Sequence, residues 1–211
     1  SVPEYGRIGD TARLAIEGYP GEILLAKAVP DGPAARAAVF STVYTYDMDN
    51  THPLADRISS NDVIGYYPSA VLTKITIVDL ADAMNPRVER QFYLEGSYQT
   101  AREIDGSAHL LAYSSVEPYG LLYWPELPEA YYLLPYDDPQ RQQLWTDAIA
   151  AAIEHNDELI AGLTLEDLVP KMFEVNAEGQ VIPYEEAAQG CGNYVIAEDG
   201  ASRGFTSIAS F

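Results

Sequence analysis

Four groups of residues in this chain have types and spacings that suit chemistry. Gly200-Ala201-Ser202-Arg203-Gly204 matches G-x-S-x-G, which in hydrolases sets a serine on a sharp strand-to-helix elbow. Here Asp199-Gly200 precedes it as a turn and the strand-like run FTSIASF follows where a helix should begin, so the segment reads as a glycine-rich loop. His52, His109 and His155 fall in an expected loop, strand and helix, with no metal-ligand spacing among them. Asp47, Asp49, Asn50 and Asp56 supply the hard oxygen donors that Ca²⁺ takes, in an order that does not follow the EF-hand consensus. A solvated acidic loop is the plainer account of those four. Tyr119, Tyr123, Trp124, Tyr131, Tyr132 and Tyr136 are interleaved with Pro118, Pro125, Pro128 and Pro135. Aromatics held by prolines make rigid, low-entropy surfaces that stack on sugars or anchor peptides. The competing account is that the same rings pack their segment against the rest of the protein. No P-loop, dinucleotide fingerprint or H-E-x-x-H motif is present, and no set of residues supports a catalytic assignment.

The elements that must position these residues read as mostly strand. The 211 residues are 47% hydrophobic, with sixteen tyrosines and frequent Gly and Pro, a balance that favours strands joined by tight turns. Thirty-two acidic residues against twelve basic ones give a formal charge of −20, which repels nucleic-acid phosphates and anionic lipid surfaces. Only Lys27, Lys74 and Lys171 are lysines, and an acidic, Lys-poor surface suits a saline medium. Cys191 is the single cysteine and has no partner for an intrachain disulfide within these residues. No charged-then-apolar leader opens the stretch, and no apolar run approaches the roughly 18 residues of a membrane span. The expectation is that any signal peptide or anchor lies outside it.

An internal likeness organises the first half. RLAIEG (13–18) and QFYLEG (91–96) read as alternating strands ending in the same Glu-Gly pair, with Tyr19 and Tyr98 close behind. VFSTV (39–43) then matches AYSSV (112–116), and Asp105-Gly106 is a hairpin signal in the second copy. Between the copies TKITIVDL (73–80) predicts a strand, Asn85-Pro86 a turn, and 87–94 a further strand. The stretch 47–72 is turn-rich and polar. Asp138-Pro139 is an N-cap and N1 pair, and Leu144, Trp145, Ala148, Ile149, Ala152 and Ile153 form a stripe that predicts an amphipathic helix from Pro139 to near Leu159 or Gly162. Thr164 and Asp167 resemble a capping box. Beyond Pro170, strands are expected at 172–175 and 181–182 about a turn at 176–179, and GFTSIASF (204–211) reads as a copy of the TKITIVDL strand.

Residues 73–115, TKITIVDLADAMNPRVERQFYLEGSYQTAREIDGSAHLLAYSS, resemble a blade of the secreted bacterial and archaeal β-propeller domain distantly related to WD repeats. RLAIEGYP looks like the preceding blade boundary, and CGNYV through FTSIASF is similar to the entry into a following blade. The resemblance covers most of 11–116 and 191–211. It implies an all-β propeller segment of about two to three antiparallel blades with a helical insertion: a first blade portion over 1–46, the polar loop 47–72, a second blade portion over 73–116, the Pro/Tyr-rich and helical insertion 117–190, and the start of the next blade at 191–211. It also implies an extracellular, periplasmic or cell-surface scaffold that binds protein or glycan without catalysis, with other chains or a longer parent completing the ring. The alternative is a propeller-fold hydrolase or metal-dependent enzyme whose active site is completed by residues outside this chain.

Overall fold

β-Branched and aromatic residues at alternating positions build nine antiparallel strands among the residues that the computed structural model describes: 12–27, 34–55, 71–104, 106–115, 118, 120–183, 194–195 and 204–210. The first sheet has the order β1 (Tyr19–Lys27), β2 (Ala34–Tyr44), β3 (Val71–Asp79), β4 (Arg87–Glu95), β7 (Met172–Val175) and β8 (Val181–Pro183). The second has β5 (Ser97–Ile104), β6 (Ser107–Ser115) and β9 (Gly204–Ser210). The chain divides into two compact units, one holding both sheets and the other formed mainly by Val116–Val169. In the stretch 117–190 the hairpin β7–β8 therefore belongs with the sheets, because Leu94 to Gln91 of β4 pair with Met172 to Val175. The fold is mostly antiparallel sheet with a helical insertion, and no closed propeller is formed by the described residues.

The internal likeness is visible in the backbone. β1 pairs with β2, and β2 with β3, as β5 pairs with β6, and β6 with β9. Both leading hairpins carry a bulge, at Gly21 between the partners of Ser41 and Phe40 and at Gln99 between the partners of Ala112 and Leu111. The two bulges are 78 residues apart, the same spacing as the two Glu-Gly pairs. Aligned on the bulges, Phe40 matches Leu111, two residues off the alignment of VFSTV with AYSSV. The shared core between the sheets contains Phe40 but Ala112 and Leu110 rather than Leu111. Each sheet thus gives its opposite face to the common core, which also holds Ala38, Ile75, Phe92, Leu94 and Ala101.

One expected strand is absent. Residues 12–17 lie outside any strand, and pairing starts at Tyr19. RLAIEG alternates like QFYLEG, but only the second copy runs between neighbours that take its hydrogen bonds, β3 and β7.

In the second unit a short helix α1 (Glu129–Leu133) precedes α2 (Pro139–Gly162), and α3 (Leu165–Leu168) follows. Asp138 caps α2 by accepting from Gln140 N at 2.8 Å, with Pro139 at the first position. Asp167 accepts from Thr164 N and Oγ1 at 2.8 and 2.6 Å, the reciprocal half of the expected capping box. Of the predicted stripe, Ala152 is buried and Leu144, Trp145, Ala148 and Ile149 are half-buried, while Ile153 is exposed, about 80° round the helix from Trp145.

Candidate functional site

The second unit fixes the backbone of the proline and tyrosine run from both ends. Asn156 on α2 accepts from Leu122 N at 2.8 Å and donates to Leu122 O at 3.0 Å, so one amide side chain satisfies both backbone groups of a loop residue. His155 Nε2 donates to Gly120 O at 2.9 Å. Gly120 has φ +83, a left-handed conformation that favours glycine, while an added Cβ would meet only the movable end of Leu159, Cδ1 at 2.8 Å. At the other end Arg141 Cζ sits over Tyr131, 4.5 Å from the ring centroid, and 5.4 Å from the Tyr136 ring centroid, and the side chain donates to Leu134 O at 3.3 Å. Tyr131 also packs against Trp145 and edge-on to Tyr132, at 6.0 and 5.3 Å between centroids.

Pinned this way, the run keeps its largest side chains in solvent. Tyr123 is 70% exposed, Trp124 78%, Tyr132 67% and Tyr136 90%, with Leu133 beside them at 77%. Tyr131 is the half-buried member, in contact with Tyr132 and Trp145. Tyr131, Tyr132 and Tyr136 gather at the start of α2, while Tyr123 and Trp124 follow the residue held by Asn156, eleven positions and about 16 Å further along the helix axis than Trp145. Tyr119 lies outside the described residues, as do Asp56, Cys191 and Ser202.

Asp49 is committed to a local turn, with Oδ1 accepting from Thr51 N at 2.8 Å and Thr51 Oγ1 at 2.6 Å, and these bonds hold its carboxyl below the usual range. Asp47 ends a 3-10 turn, Thr45–Asp47, and Asn50 follows in the next turn. Among the described residues no three His, Cys, Asp or Glu side chains converge in a metal-holding group. The histidines are held separately: His109 Nδ1 shares a hydrogen with Ser210 Oγ at 2.8 Å, while His155 serves Gly120. β9 begins at Gly204 and pairs with β6, so strand rather than helix follows the G-x-S-x-G segment.

The third histidine belongs to a cluster that the sequence did not reveal. Glu17 Oε2 accepts from Lys74 Nζ at 2.6 Å and from Tyr93 Oη at 2.7 Å, and Oε1 lies 3.0 Å from His52 Nε2. Burial alone would push the Glu17 carboxyl up, but the hydrogen bonds from His52, Lys74 and Tyr93 outweigh it and hold the pKa at about 2. Burial draws Lys74 down against the pull of Glu17, and raises Tyr93 together with the Glu17 charge. The Lys74 side chain is 4% exposed, and its ammonium sits 4.9 Å over the Tyr93 ring. Beside it Ser41, paired with Lys74 across β2 and β3, and Thr76 bury hydroxyls that find no hydrogen-bond partner among the described residues. The cluster fastens residues 12–17 and the segment around His52 and Leu54 onto one face of the first sheet, above Val43, Leu72, Tyr93 and Val175. The signals available in sequence were the repeated Glu-Gly pair and a lone lysine inside TKITIV.

A cavity of about 700 Å³ opens between the two sheets, on the other face. Ile77, Phe92, Met172, Phe205 and Ala209 line it, and at its rim Arg36 pairs with Glu89 through two bonds of 2.9 Å. No catalytic constellation faces it among the described residues. No curated protein and no solved structure matches the chain. The family model for the beta propeller domain matches residues 7–211. With that match over nearly its whole length, and with paired antiparallel sheets repeating at one spacing, the chain belongs to the beta propeller domain family.

Proposed function

We propose that this chain is a noncatalytic binding or scaffold module of a propeller, in which two consecutive blades carry a helical unit that presents an aromatic surface to a partner. The observation that carries the binding role is the exposure of Tyr123, Trp124, Tyr132 and Tyr136 on a backbone anchored by Asn156, His155 and Arg141. Large rings left in solvent on a rigid support lose little entropy on binding and bury much area. The blade reading is supported by the sheets themselves: each gives an opposite face to the shared core, as successive members of a ring must, whereas two sheets related by a twofold would present the same face. An extracellular, periplasmic or cell-surface setting, the kinship with secreted propellers related to WD repeats, and completion of the ring by further blades belong to the same proposal.

The test is capture of the intact chain on panels of immobilised glycans and peptides, compared with a Tyr123→Ala and Trp124→Ala double variant. Lost capture with an unchanged melting temperature and circular dichroism is the expected result. A large drop in melting temperature would assign the rings to packing instead.

A further inference from the structure

We infer that the partner recognised by this aromatic surface is an extended cationic peptide segment, rich in Lys or Arg, rather than a neutral sugar; the inference rests on the binding reading above. Three observations lead there. The first is charge. Between Pro118 and Asp138 the run carries Glu126, Glu129, Asp137 and Asp138 and no Lys or Arg. Asp138 is spent on the α2 cap, whereas Glu126, Glu129 and Asp137 are exposed among the rings. Three of the four acids of α2 itself do not contribute directly, since Asp147, Glu154 and Glu158 recur on the side of the helix opposite Trp145, Ala152 and Asn156, while Asp157 lies about 120° round the helix from Trp145.

The second observation is Arg141. In the unit 116–169 it is the lone Lys or Arg against eleven Asp and Glu, and its guanidinium lies between Tyr131 and Tyr136. The surface therefore already accommodates one cation on its ring faces, and the exposed faces of Trp124, Tyr132 and Tyr136 offer the same quadrupole to a cation from outside. The third is extent. The anchors of the two aromatic groups on α2, Trp145 and Asn156, lie about 16 Å apart along the helix, a span that an extended strand of about five residues covers at about 3.3 Å each. A single small cation would use one end only. A peptide with basic residues at alternate positions meets both groups while its backbone follows the run.

The experiment uses the whole 211-residue chain and follows Trp fluorescence and anisotropy during titration with a labelled hexapeptide of alternating Lys or Arg and Gly. A Glu/Gly hexapeptide and a neutral hexasaccharide serve as comparisons. The basic peptide is expected to bind, the acidic one not to, and affinity should fall as salt is raised. The double variant Glu126→Gln and Glu129→Gln, at exposed positions outside the packed interior, should weaken binding about three- to tenfold with an unchanged melting temperature. Trp124→Ala should weaken it further. Binding of the hexasaccharide with no binding of the basic peptide would overturn the cationic class while leaving the aromatic surface as a site. No binding of any probe, with Trp124→Ala lowering the melting temperature, would overturn both readings. Equal affinity in the Glu→Gln double variant at low salt would overturn the role of charge alone, and with it this inference.

Discussion

At the scale of single residues, the two Glu-Gly pairs are twins in sequence and opposites in electrostatics. Glu17 is held at about 2 by three donors, so its folded-state pKa lies below the ordinary 4.5. A carboxyl shifted in that direction contributes stability that is fully present above its ordinary pKa and is lost as pH falls towards the folded value. Glu17→Gln should therefore cost about 2 to 3 kcal/mol at neutral pH in urea unfolding, less than for fully enclosed pairs because a third of the Glu17 side chain meets solvent. The difference from the unmodified protein should shrink between pH 4.5 and 2. Glu95 is raised by burial, against the opposing pull of the Lys171 N–H at 2.9 Å and the Lys171 charge. The sign reverses: a raised carboxyl costs stability once pH exceeds its ordinary value. Glu95→Gln keeps an acceptor for Lys171 N–H and should leave the melting temperature at pH 7 unchanged or higher. A fall as large as that of Glu17→Gln would show that the Glu95 charge is stabilising.

At the scale of elements, the entry to each hairpin depends on a glycine that no other residue replaces cheaply. Gly18 and Gly96 have φ of +78 and +118, and an added Cβ would meet Thr42 O at 2.3 Å and Tyr113 O at 2.7 Å. Both the left-handed backbone and the backbone clash oppose a side chain, so Gly18→Ala and Gly96→Ala should each destabilise by more than about 2 kcal/mol. Gly21, the bulge residue, has open space where a Cβ would stand, and Gly21→Ala should stay within about 0.5 kcal/mol, measured by the same urea midpoints. The strands β3, β4, β5 and β6 and the helix α2 were legible because alternation, Asn-Pro, Asp-Gly and Asp-Pro are local signals. The supposed strand at 13–18 misled because alternation reports a possible face and says nothing of a neighbour to pair with. The aromatic surface was legible as composition, from the interleaved prolines, but its exposure was not, since Asn156 and Arg141 reach it from a helix later in the chain. The Glu17 cluster was least legible: its partners Lys74 and Tyr93 are 57 and 76 residues away, strand register sets only those two side by side, and Glu17 reaches them from a segment outside any strand.

For the molecule as a whole, the governing quantity is the charge of −20, and its consequences differ for buried and exposed groups. The cluster of Glu17, Lys74, His52 and Tyr93 is mostly enclosed, so mobile ions reach it poorly. The exposed acids, among them Glu126, Glu129 and Asp137 and those on the back of α2, repel one another across solvent. Raising salt from about 0.01 M to about 1 M shortens the Debye length from about 30 Å to about 3 Å, which removes most of that repulsion while leaving short enclosed bonds largely intact. Exposed pairs such as Arg36 with Glu89 lose strength under the same treatment, but each contributes at most about 1 kcal/mol. Twelve basic residues cannot neutralise thirty-two acids, so repulsion outweighs attraction and the melting temperature should climb with salt. A series at pH 7 in sodium chloride checks this, with Glu17→Gln run in parallel. Parallel climbs would place the salt effect on the surface acids. A flat or falling curve would mean that the acids are spaced widely enough to ignore one another, and that the acidic composition does not make this protein favour a saline medium.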